Sequence, residues 1–451
     1  MLASAAGLFS NSYLNPAQAS VIFCIVLMLF FWITETIALS ITALLPVFVF
    51  SAAGILSVKE VLANYAHPVI YLFLGGFMLA IGLQRWKIDV WFSRLIINTI
   101  GRTPERILAG FCISTAILSM WISNTATAVM MLPLAASILE KENNKPVFTK
   151  LLYLSIAYSA NIGGMATLIG TPPNIVLAAL FKERYGATIG FAEWMKFGLP
   201  ISMLLLAIMY LVFVWILRRS GEGGSLNFEE VEEVKKLNIG QKRFLGVFGL
   251  TALLWMFRPI LSSYLGWDFL DDTFIALLGG CSLFVLPQGI ERGETLLSWG
   301  DTHKIPWGIL LIFGGGLSLA IGIEVSGLGL LVGEALGGLS GWHILFLMSL
   351  IAFFGLMITE LMSNVALVSV FIPIVFVLSD QMGINPLTLA VPLTLAASCA
   401  FMLPIATPPN MVVFASGKVS FSYMVSIGWL LNLLALAVII FFWYFLGAVF
   451  Y

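Results

Sequence analysis

Long apolar runs recur along the whole chain and restrict the folds that it can adopt. A backbone in hydrocarbon must satisfy its own hydrogen bonds, and a long single segment does so as a helix. Only 10% of the 451 residues are charged, against about 25% in soluble domains. The sequence therefore predicts an all-α polytopic membrane protein. The runs long enough to cross a bilayer lie at 19–34, 36–56, 67–84, 147–182, 193–217, 242–262, 272–290, 305–325, 388–415 and 421–450.

Two further apolar runs, 104–139 and 343–378, carry polar residues in their middles. The first contains "SMWISNTATAVMMLP" at 119–133, and the second contains "TELMSNVALVSVFIP" at 359–373. A polar side chain in hydrocarbon is costly unless it finds a partner, and non-helical backbone at that depth needs surrounding protein or a water-filled cavity. We therefore expect each run to form a re-entrant hairpin, in which two half-length helices meet at a polar tip.

Two of the predicted spans contain the same Thr-Pro-Pro-Asn sequence. It appears as "GTPPNIV" at 170–176 and as "ATPPNMV" at 406–412. Proline removes a backbone hydrogen bond and clashes with the preceding turn, so it interrupts a helix. Spans 147–182 and 388–415 should therefore break near mid-membrane, where free carbonyl groups attract cations and free N–H groups attract anions.

These motifs belong to an internal repeat. Residues 73–82, "FLGGFMLAIG", match residues 313–322, "FGGGLSLAIG", at an offset of 240, and the two Ser-Asn motifs share that offset. The Pro-Pro motifs follow in the same order at an offset of 236, which indicates a duplication. Each half has five crossings and one hairpin. Because five is odd, we expect the second half to enter the membrane inverted, as in many secondary transporters.

The distribution of charge supports a division into a first repeat at 1–217, a cytoplasmic linker at 218–243 and a second repeat at 244–451. If the first crossing runs inward, 17 of the 22 Lys and Arg residues lie inside. This bias follows the positive-inside rule. It predicts a multi-pass protein of the cell membrane with both termini outside. The five basic residues left outside are Lys59, Lys182, Arg184, Lys196 and Arg258.

Several classes of function find no support in the sequence. It contains no zinc-protease, P-loop or nucleophile-elbow motif, and its four cysteines lie far apart in or near apolar segments. The net charge of -1 gives no sign of a nucleic-acid partner. We therefore expect a transporter rather than an enzyme or an ATP-driven pump.

The polar tips offer neutral oxygen atoms. Ser119 lies four residues before Ser123, and Thr359 lies four before Ser363, so each pair shares a helix face. Such oxygen atoms suit a hard monovalent cation. No Lys or Arg falls in the motifs, so an anionic substrate would depend on co-bound cations, which couples the two ligands. Glu360 keeps two readings: an acid that relays protons or attracts cations, or a structural hydrogen-bond acceptor.

The paired Ser-Asn tips and the paired Thr-Pro-Pro-Asn breaks resemble those of the divalent-anion:sodium symporter family, and the resemblance covers nearly the whole chain. It implies sodium-coupled transport of dicarboxylates, citrate or sulfate by a homodimer whose transport domain moves as an elevator. One departure is Val365, where the family's bacterial pattern has threonine. The family also usually has one more span before the repeat, and residues 1–18 are too short and polar to provide it. That span, if the native protein has it, would move the N-terminus inside.

Carried over by motif, the resemblance assigns two sodium sites and one substrate site. The ligands of the first sodium ion would be Ser119, Ser123, Asn124 and the Gly170 backbone. Those of the second would be Thr359, Ser363, Asn364 and the Ala406 backbone. The substrate would lie against Asn124, Thr125, Thr171, Asn364, Val365, Thr407 and Pro408.

The preferred function is sodium-coupled symport of a di- or tricarboxylate of the succinate, malate, fumarate and citrate class. Two alternatives stay open on the same fold: a sodium-independent dicarboxylate exchanger and a sulfate:sodium symporter. An exchanger would be expected to replace the sodium ligands with fixed positive charge. This chain instead keeps hydroxyl groups at positions 119, 123, 359 and 363.

Overall fold

The computed structural model of the chain describes residues 14–101, 103–139, 145–222, 236–267, 269–289, 293–336 and 341–447. The predicted all-α class is confirmed. Short 3₁₀ segments lie at Asn64–Ala66 and Trp299–Lys304. The α-helices are α1 Pro16–Thr34, α2 Leu39–Thr42, α3 Leu45–Ala52, α4 Val58–Ala63, α5 Pro68–Arg85, α6 Ile88–Ile100, α7 Pro104–Ser119, α8 Asn124–Leu139, α9 Pro146–Gly164, α10 Pro172–Tyr185, α11 Phe191–Ser220, α12 Ile239–Leu265, α13 Asp272–Ser282, α14 Trp307–Val325, α15 Leu328–Leu336, α16 Ile344–Thr359, α17 Asn364–Met382, α18 Leu387–Ala397, α19 Pro408–Ala415 and α20 Phe421–Leu446.

Seven helical stretches of the described chain are apolar and long enough to cross a membrane. They are α1, the stretch Val58–Arg85 that ends in α5, and the helices α11, α12, α14, α17 and α20. The longest, α11, has 30 residues, and at 1.5 Å per residue it extends about 45 Å. The chain is therefore a multi-pass integral membrane protein, as its composition predicted.

The crossing predicted at 36–56 is shorter than expected. The chain forms α2, of 4 residues, and α3, of 8 residues, instead of one continuous helix. Pro46 stands in the first turn of α3, where its missing N–H group is tolerated but where a longer helix would be interrupted. The interruption frees the carbonyl group of Ala43, which accepts a hydrogen bond from the Tyr65 hydroxyl at 2.5 Å.

The crossing predicted at 272–290 is also shorter than expected. Only α13, of 11 residues, is helical there. Pro287 cannot continue a helix, and the chain turns back so that Pro287 pairs with Thr295 in an isolated antiparallel bridge. The second span of each half is thus a short element, and sequence hydropathy alone overestimated both.

Repeated glycines let these short elements pack closely on the other half. A Cβ built at Gly75 in α5 would lie 2.4 Å from backbone atoms of Ala276 in α13. A Cβ built at Gly315 in α14 would lie 2.4 Å from the carbonyl oxygen of Ala43. Atoms cannot approach so closely, so only glycine permits either contact. The repeated glycines therefore join the two halves to each other.

Each Ser-Asn motif lies where the turn between two helices ends, with the serine in the turn and the asparagine as the first residue of the second helix. The first hairpin consists of α7 and α8, joined by residues 120–123, and the second consists of α16 and α17, joined by 360–363. The first broken span consists of α9 and α10 with a break at 165–171, and the second of α18 and α19 with a break at 398–407. Helix α10 packs against α17, and α19 packs against α8. The second helix of each broken span therefore lies beside the hairpin of the other half, whereas the first helix, α9 or α18, packs on the hairpin of its own half.

The hydrophilic segment predicted as a linker at 218–243 is described only at its ends, and residues 223–235 lie outside the described residues. Near its start, the Glu222 carboxylate accepts hydrogen bonds from the backbone N–H groups of Val147 and Phe148, at 3.0 and 2.8 Å. These are first-turn donors of α9 that have no partner within the helix. Glu222 therefore anchors the start of the first broken span.

Candidate ion and anion site

The first hairpin tip buries a hydroxyl group between two oxygen atoms. Helix α7 ends at Ser119, whose side chain is fully buried. Its Oγ lies 2.7 Å from Asn124 Oδ1 and 2.7 Å from the carbonyl oxygen of Ala160 in the first broken span. A hydroxyl has one proton to donate, so it satisfies only one of these acceptors at a time. The tip holds more oxygen lone pairs than donors, and such an environment attracts a cation.

The second hairpin tip repeats this arrangement. Thr359 is fully buried, and its Oγ1 lies 2.7 Å from Asn364 Oδ1 and 2.7 Å from the carbonyl oxygen of Ala397 in the second broken span. Each of these three atoms has its counterpart in the first tip. Ala406, the predicted backbone ligand, is also buried and lies at the end of the second break. The exchange of serine for threonine therefore preserves the hydroxyl and its geometry.

Glycines bring a backbone oxygen to the first cluster. A Cβ built at Gly164 would lie 2.6 Å from Asn124 Oδ1 and 3.2 Å from the carbonyl oxygen of Gly170. Both oxygen atoms therefore face the same point, which a side chain at Gly164 would fill. The structure thus gathers Ser119, Asn124 and Gly170, which are three of the four predicted ligands of the first sodium ion.

The fourth predicted ligand, Ser123, is placed differently. Its side chain is exposed, and its Oγ accepts a hydrogen bond from the Ala126 N–H group at 3.3 Å. The Ser123 carbonyl accepts from the Thr127 hydroxyl at 3.1 Å. Ser123 therefore caps the first turn of α8. Its counterpart Ser363 is half-buried and makes no side-chain cap hydrogen bond to α17, so the two serines are not equivalent.

The asparagine of each Thr-Pro-Pro-Asn motif holds the break in shape. Asn174 Nδ2 donates to the carbonyl oxygens of Gly164 and Thr167, at 3.2 and 2.8 Å. In the second break, Asn410 Nδ2 donates to the corresponding carbonyl oxygens, those of Ala400 and Leu403, at 2.9 and 3.1 Å. Both side chains are fully buried. The sequence alone led to no role for Asn174 or Asn410. Their recurrence as the last residue of both Thr-Pro-Pro-Asn motifs was nevertheless a signal.

Each broken span resumes as a helix at a threonine followed by two prolines. The two prolines have no N–H group, and the N–H groups of Asn174 and Asn410 already donate to Thr171 and Thr407. Each start therefore offers an anion the positive end of the helix dipole rather than free N–H donors. Thr171 and Thr407, which precede α10 and α19, are both 3% exposed. Thr407 Oγ1 accepts from the Asn410 N–H group at 3.4 Å and from Asn161 Nδ2 at 3.2 Å, whereas Thr171 makes no side-chain cap bond. Pro408 is exposed.

The two hairpin tips differ at the residue after the asparagine. Thr125 in α8 is half-buried, and Val365 in α17 is buried. One tip therefore presents a hydroxyl near its surface, and the other presents two methyl groups packed against protein. The two tips therefore differ in chemistry at this position.

Glu360, which follows Thr359, acts as a structural acceptor in this structure. Its carboxylate accepts from the backbone N–H groups of Met402 and Leu403, at 2.9 and 2.8 Å, and from Asn432 Nδ2 at 2.7 Å. The side chain is 3% exposed. A carboxylate with three donors is satisfied as a charged group. Of its two readings, the contacts favour the structural one, in which Glu360 ties the second tip to the second break.

In the first half, the hairpin tip is also hydrogen-bonded to its break, but no carboxylate takes part. Met120 stands where the second half has Glu360. The Thr167 hydroxyl donates to the Met120 carbonyl at 2.6 Å and accepts from the Gly170 N–H group at 3.0 Å. The same tip-to-break contact is thus neutral in one half and charged in the other.

The arrangement supplies two oxygen clusters and two helix N-termini in neighbouring elements. Within the described part of the chain, no group of three or more His, Cys, Asp or Glu side chains is placed to hold a metal ion. The oxygen atoms that face each other at the two tips belong to hydroxyl, amide and backbone carbonyl groups, and such neutral oxygens suit monovalent cations. Such a site can bind cations and an anion without covalent chemistry.

Comparison with known proteins finds relatives over most of the chain. A protein-family model described as citrate transporter matches residues 29–391. The sodium-dependent dicarboxylate transporter SdcS of Staphylococcus saprophyticus is 39% identical over 434 residues, which is 92% of this chain and 83% of the relative. SdcS of Staphylococcus aureus strain USA300 is 36% identical over 428 residues, which is 91% of this chain and 82% of the relative.

Two solved structures share the fold. The YdaH transporter of Alcanivorax borkumensis has a TM-score of 0.60 and 14% identity, and the match covers 86% of this chain and 88% of that one. MtrF of Neisseria gonorrhoeae has a TM-score of 0.59 and 12% identity, with 85% and 82% covered. Both SdcS and YdaH are named as transporters, which confirms the prediction of a transporter rather than an enzyme. The chain belongs to the divalent-anion:sodium symporter family that its paired motifs indicated.

Proposed function

We propose that the chain is a secondary transporter that moves a di- or tricarboxylate together with sodium ions. The observation that carries this proposal is the matched pair of buried oxygen clusters, in which Ser119 and Thr359 each lie 2.7 Å from two oxygen acceptors. A sodium ion in each cluster supplies the positive charge that these oxygens attract. The SdcS relatives, named sodium-dependent dicarboxylate transporters, support sodium as the coupling ion and a dicarboxylate as the substrate.

Each proposed sodium site combines a hairpin tip with the break beside it. The ligands of the first are Ser119, Asn124 and the Gly170 backbone, with Ser123 at its exposed edge. The ligands of the second are Thr359, Ser363, Asn364 and the Ala406 backbone.

The proposed substrate site lies between the two tips and the two resumed helices. Its residues are Asn124, Thr125, Thr171, Asn364, Val365, Thr407 and Pro408. No Lys or Arg falls in these motifs, so the bound sodium ions provide the counter-charge for the anion. Occupancy by sodium then raises the affinity for the anion, and the reverse holds to the same extent.

The proposed architecture is an inverted repeat of 1–217 and 244–451, joined by a cytoplasmic linker. The exchange of packing partners, α10 on α17 and α19 on α8, supports a two-fold relation between the halves. We further propose a homodimer in the cell membrane, with both termini outside and a transport domain that moves as an elevator. The homodimer and the elevator movement rest on membership of the family.

The test is uptake of labelled succinate, malate, citrate and sulfate into proteoliposomes that contain the purified protein. We expect succinate and malate to enter only with an inward sodium gradient, and an equal potassium gradient to give no uptake. Uptake that ignores sodium but rises with internal dicarboxylate would instead identify an exchanger. Sodium-dependent uptake of sulfate alone would identify the sulfate:sodium alternative.

A further inference from the structure

Asn161 joins the first hairpin tip to the second broken span. It lies in the last turn of α9 and is 1% exposed. Its Oδ1 accepts from Asn124 Nδ2 at 3.4 Å, and its Nδ2 donates to Thr407 Oγ1 at 3.2 Å. One buried amide therefore connects a proposed sodium ligand in one half with a proposed substrate ligand in the other.

The contact with Asn161 sets what the Thr407 hydroxyl can do. A hydroxyl has two acceptor lone pairs and one proton. Thr407 Oγ1 accepts from Asn161 Nδ2 and from the Asn410 N–H group, so both lone pairs are engaged. The proton is left to donate. With Asn161 bonded to it, the Thr407 hydroxyl can act only as a donor, and a carboxylate oxygen of an anion can accept its proton in a hydrogen bond.

We expect sodium at the first site to hold the direction that this chain of amides has in the structure. An asparagine side chain carries its oxygen and its NH₂ group on opposite sides of one planar amide. A cation held by Asn124 Oδ1 therefore fixes Asn124 Nδ2 in the opposite direction, toward Asn161 Oδ1. The fixed Asn161 amide then directs its own Nδ2 at Thr407.

The second half has no equivalent of this connection among the described residues. The carbonyls of Ala160 and Ala397 accept from the two tip hydroxyls, so Asn161 corresponds to Ser398. The Ser398 side chain is also buried, but its Oγ has no hydrogen-bond partner in the described structure. The link from sodium to substrate is therefore built on one side only.

We infer that Asn161 is a positioning residue that couples sodium at the first site to the substrate contact made by Thr407. The inference rests on the proposed function, because it assigns a path for the coupling that sodium-driven symport requires. It predicts that a shorter side chain at position 161 leaves sodium binding intact and weakens the effect of sodium on substrate affinity.

The experiment measures the KM for succinate in proteoliposomes at limiting and at saturating sodium, and takes their ratio as the coupling factor. Coupling between sites is typically about 5- to 150-fold. For Asn161→Ser, which installs the second half's residue, we expect the coupling factor to fall by about fivefold or more. Sodium without succinate should still stabilise the variant against thermal unfolding. Asn161→Ala provides a second variant with the same expectation.

The matched control is Ser398→Ala, which should keep the wild-type coupling factor. A wild-type coupling factor in both Asn161 variants would overturn the inference, and so would the loss of sodium-dependent stabilisation, which would make Asn161 part of the sodium site itself. If the proposed function itself were wrong, the wild-type protein would show no sodium-dependent succinate uptake. That result distinguishes a wrong function from a wrong role for Asn161.

Discussion

The ring of Phe73 stacks on the ring of Phe313, with centroids 4.3 Å apart and ring planes at 26°. These residues occupy the same position in the repeated glycine-rich blocks, at an offset of 240. Contact between equivalent residues is expected where two halves meet across an approximate two-fold axis. Each residue of a repeated motif can therefore be compared with its counterpart in the other copy of that motif.

The tip hydroxyls should control sodium affinity. Ser119→Ala removes one oxygen from the first cluster, and by analogy with a hydrogen bond to a charged group this loss costs about 1.5–3 kcal/mol. We expect the sodium concentration for half-maximal succinate uptake to rise by about tenfold or more. Thr359→Ser, which keeps its hydroxyl, is the control and should leave the sodium curve nearly unchanged. An unchanged curve for Ser119→Ala would remove that residue from the site.

The tip asparagines should be required for transport. Asn124→Ala and Asn364→Ala each remove an amide that the proposal assigns to both sodium and substrate, so we expect both variants to lose succinate uptake. Thermal unfolding of the purified variants checks that they are folded. Full uptake by both would contradict the assignment of the substrate site.

Glu360 should support stability rather than carry protons. Glu360→Leu leaves three N–H donors without their acceptor, the buried Asn432 amide among them, and an unmade bond of a buried donor costs about 1–3 kcal/mol. We expect a clearly lower unfolding temperature, with Glu360→Gln between this variant and the wild type because its amide oxygen still accepts. The dependence of uptake on pH should keep its shape in Glu360→Gln. A change in that shape would favour the proton-relay reading.

The asparagines of the breaks should act as donors. Asn174→Asp and Asn410→Asp keep the size of the side chain but replace the NH₂ group, which donates to two carbonyls in each broken span, with an acceptor. We expect both variants to unfold at lower temperature and to lose uptake. Ser398→Ala, at the buried first residue of the second break, serves as the control with wild-type uptake. Normal stability of both Asp variants would mean that these bonds do not hold the breaks.

The Thr125 and Val365 pair should influence the choice of anion. Val365→Thr adds a hydroxyl at the second tip, and we expect it to lower the KM for succinate relative to that for citrate. Thr125→Val removes the hydroxyl at the first tip and should raise the KM for succinate. Competition between labelled succinate and unlabelled citrate measures the preference. Equal preferences in wild type and both variants would show that these positions do not contact the anion.

Much of the fold and the main polar residues could be predicted from the sequence. The polar tips stood out because Ser119 and Thr359 lie in apolar surroundings, where polar groups need partners. Asn161, Asn174, Asn410 and Asn432 were not predicted as contributors. The roles of Asn161 and Asn432 depend on partners far away in the chain, 246 positions for Asn161 with Thr407 and 72 for Asn432 with Glu360. The partners of Asn174 and Asn410 are only 7 and 10 residues away, but the shape of the break decides that these side chains meet them.

The sequence by itself determined the helical membrane class, the repeat and the positions of the tips and breaks, because hydrocarbon allows so few backbone solutions and the motifs recur at a nearly constant offset. Only the tertiary structure decided that the spans at 36–56 and 272–290 are short, that Ser123 caps a helix, and that Glu360 ties the second tip to its break. The physical reason is that a buried polar group takes its role from the partner that packing brings to it.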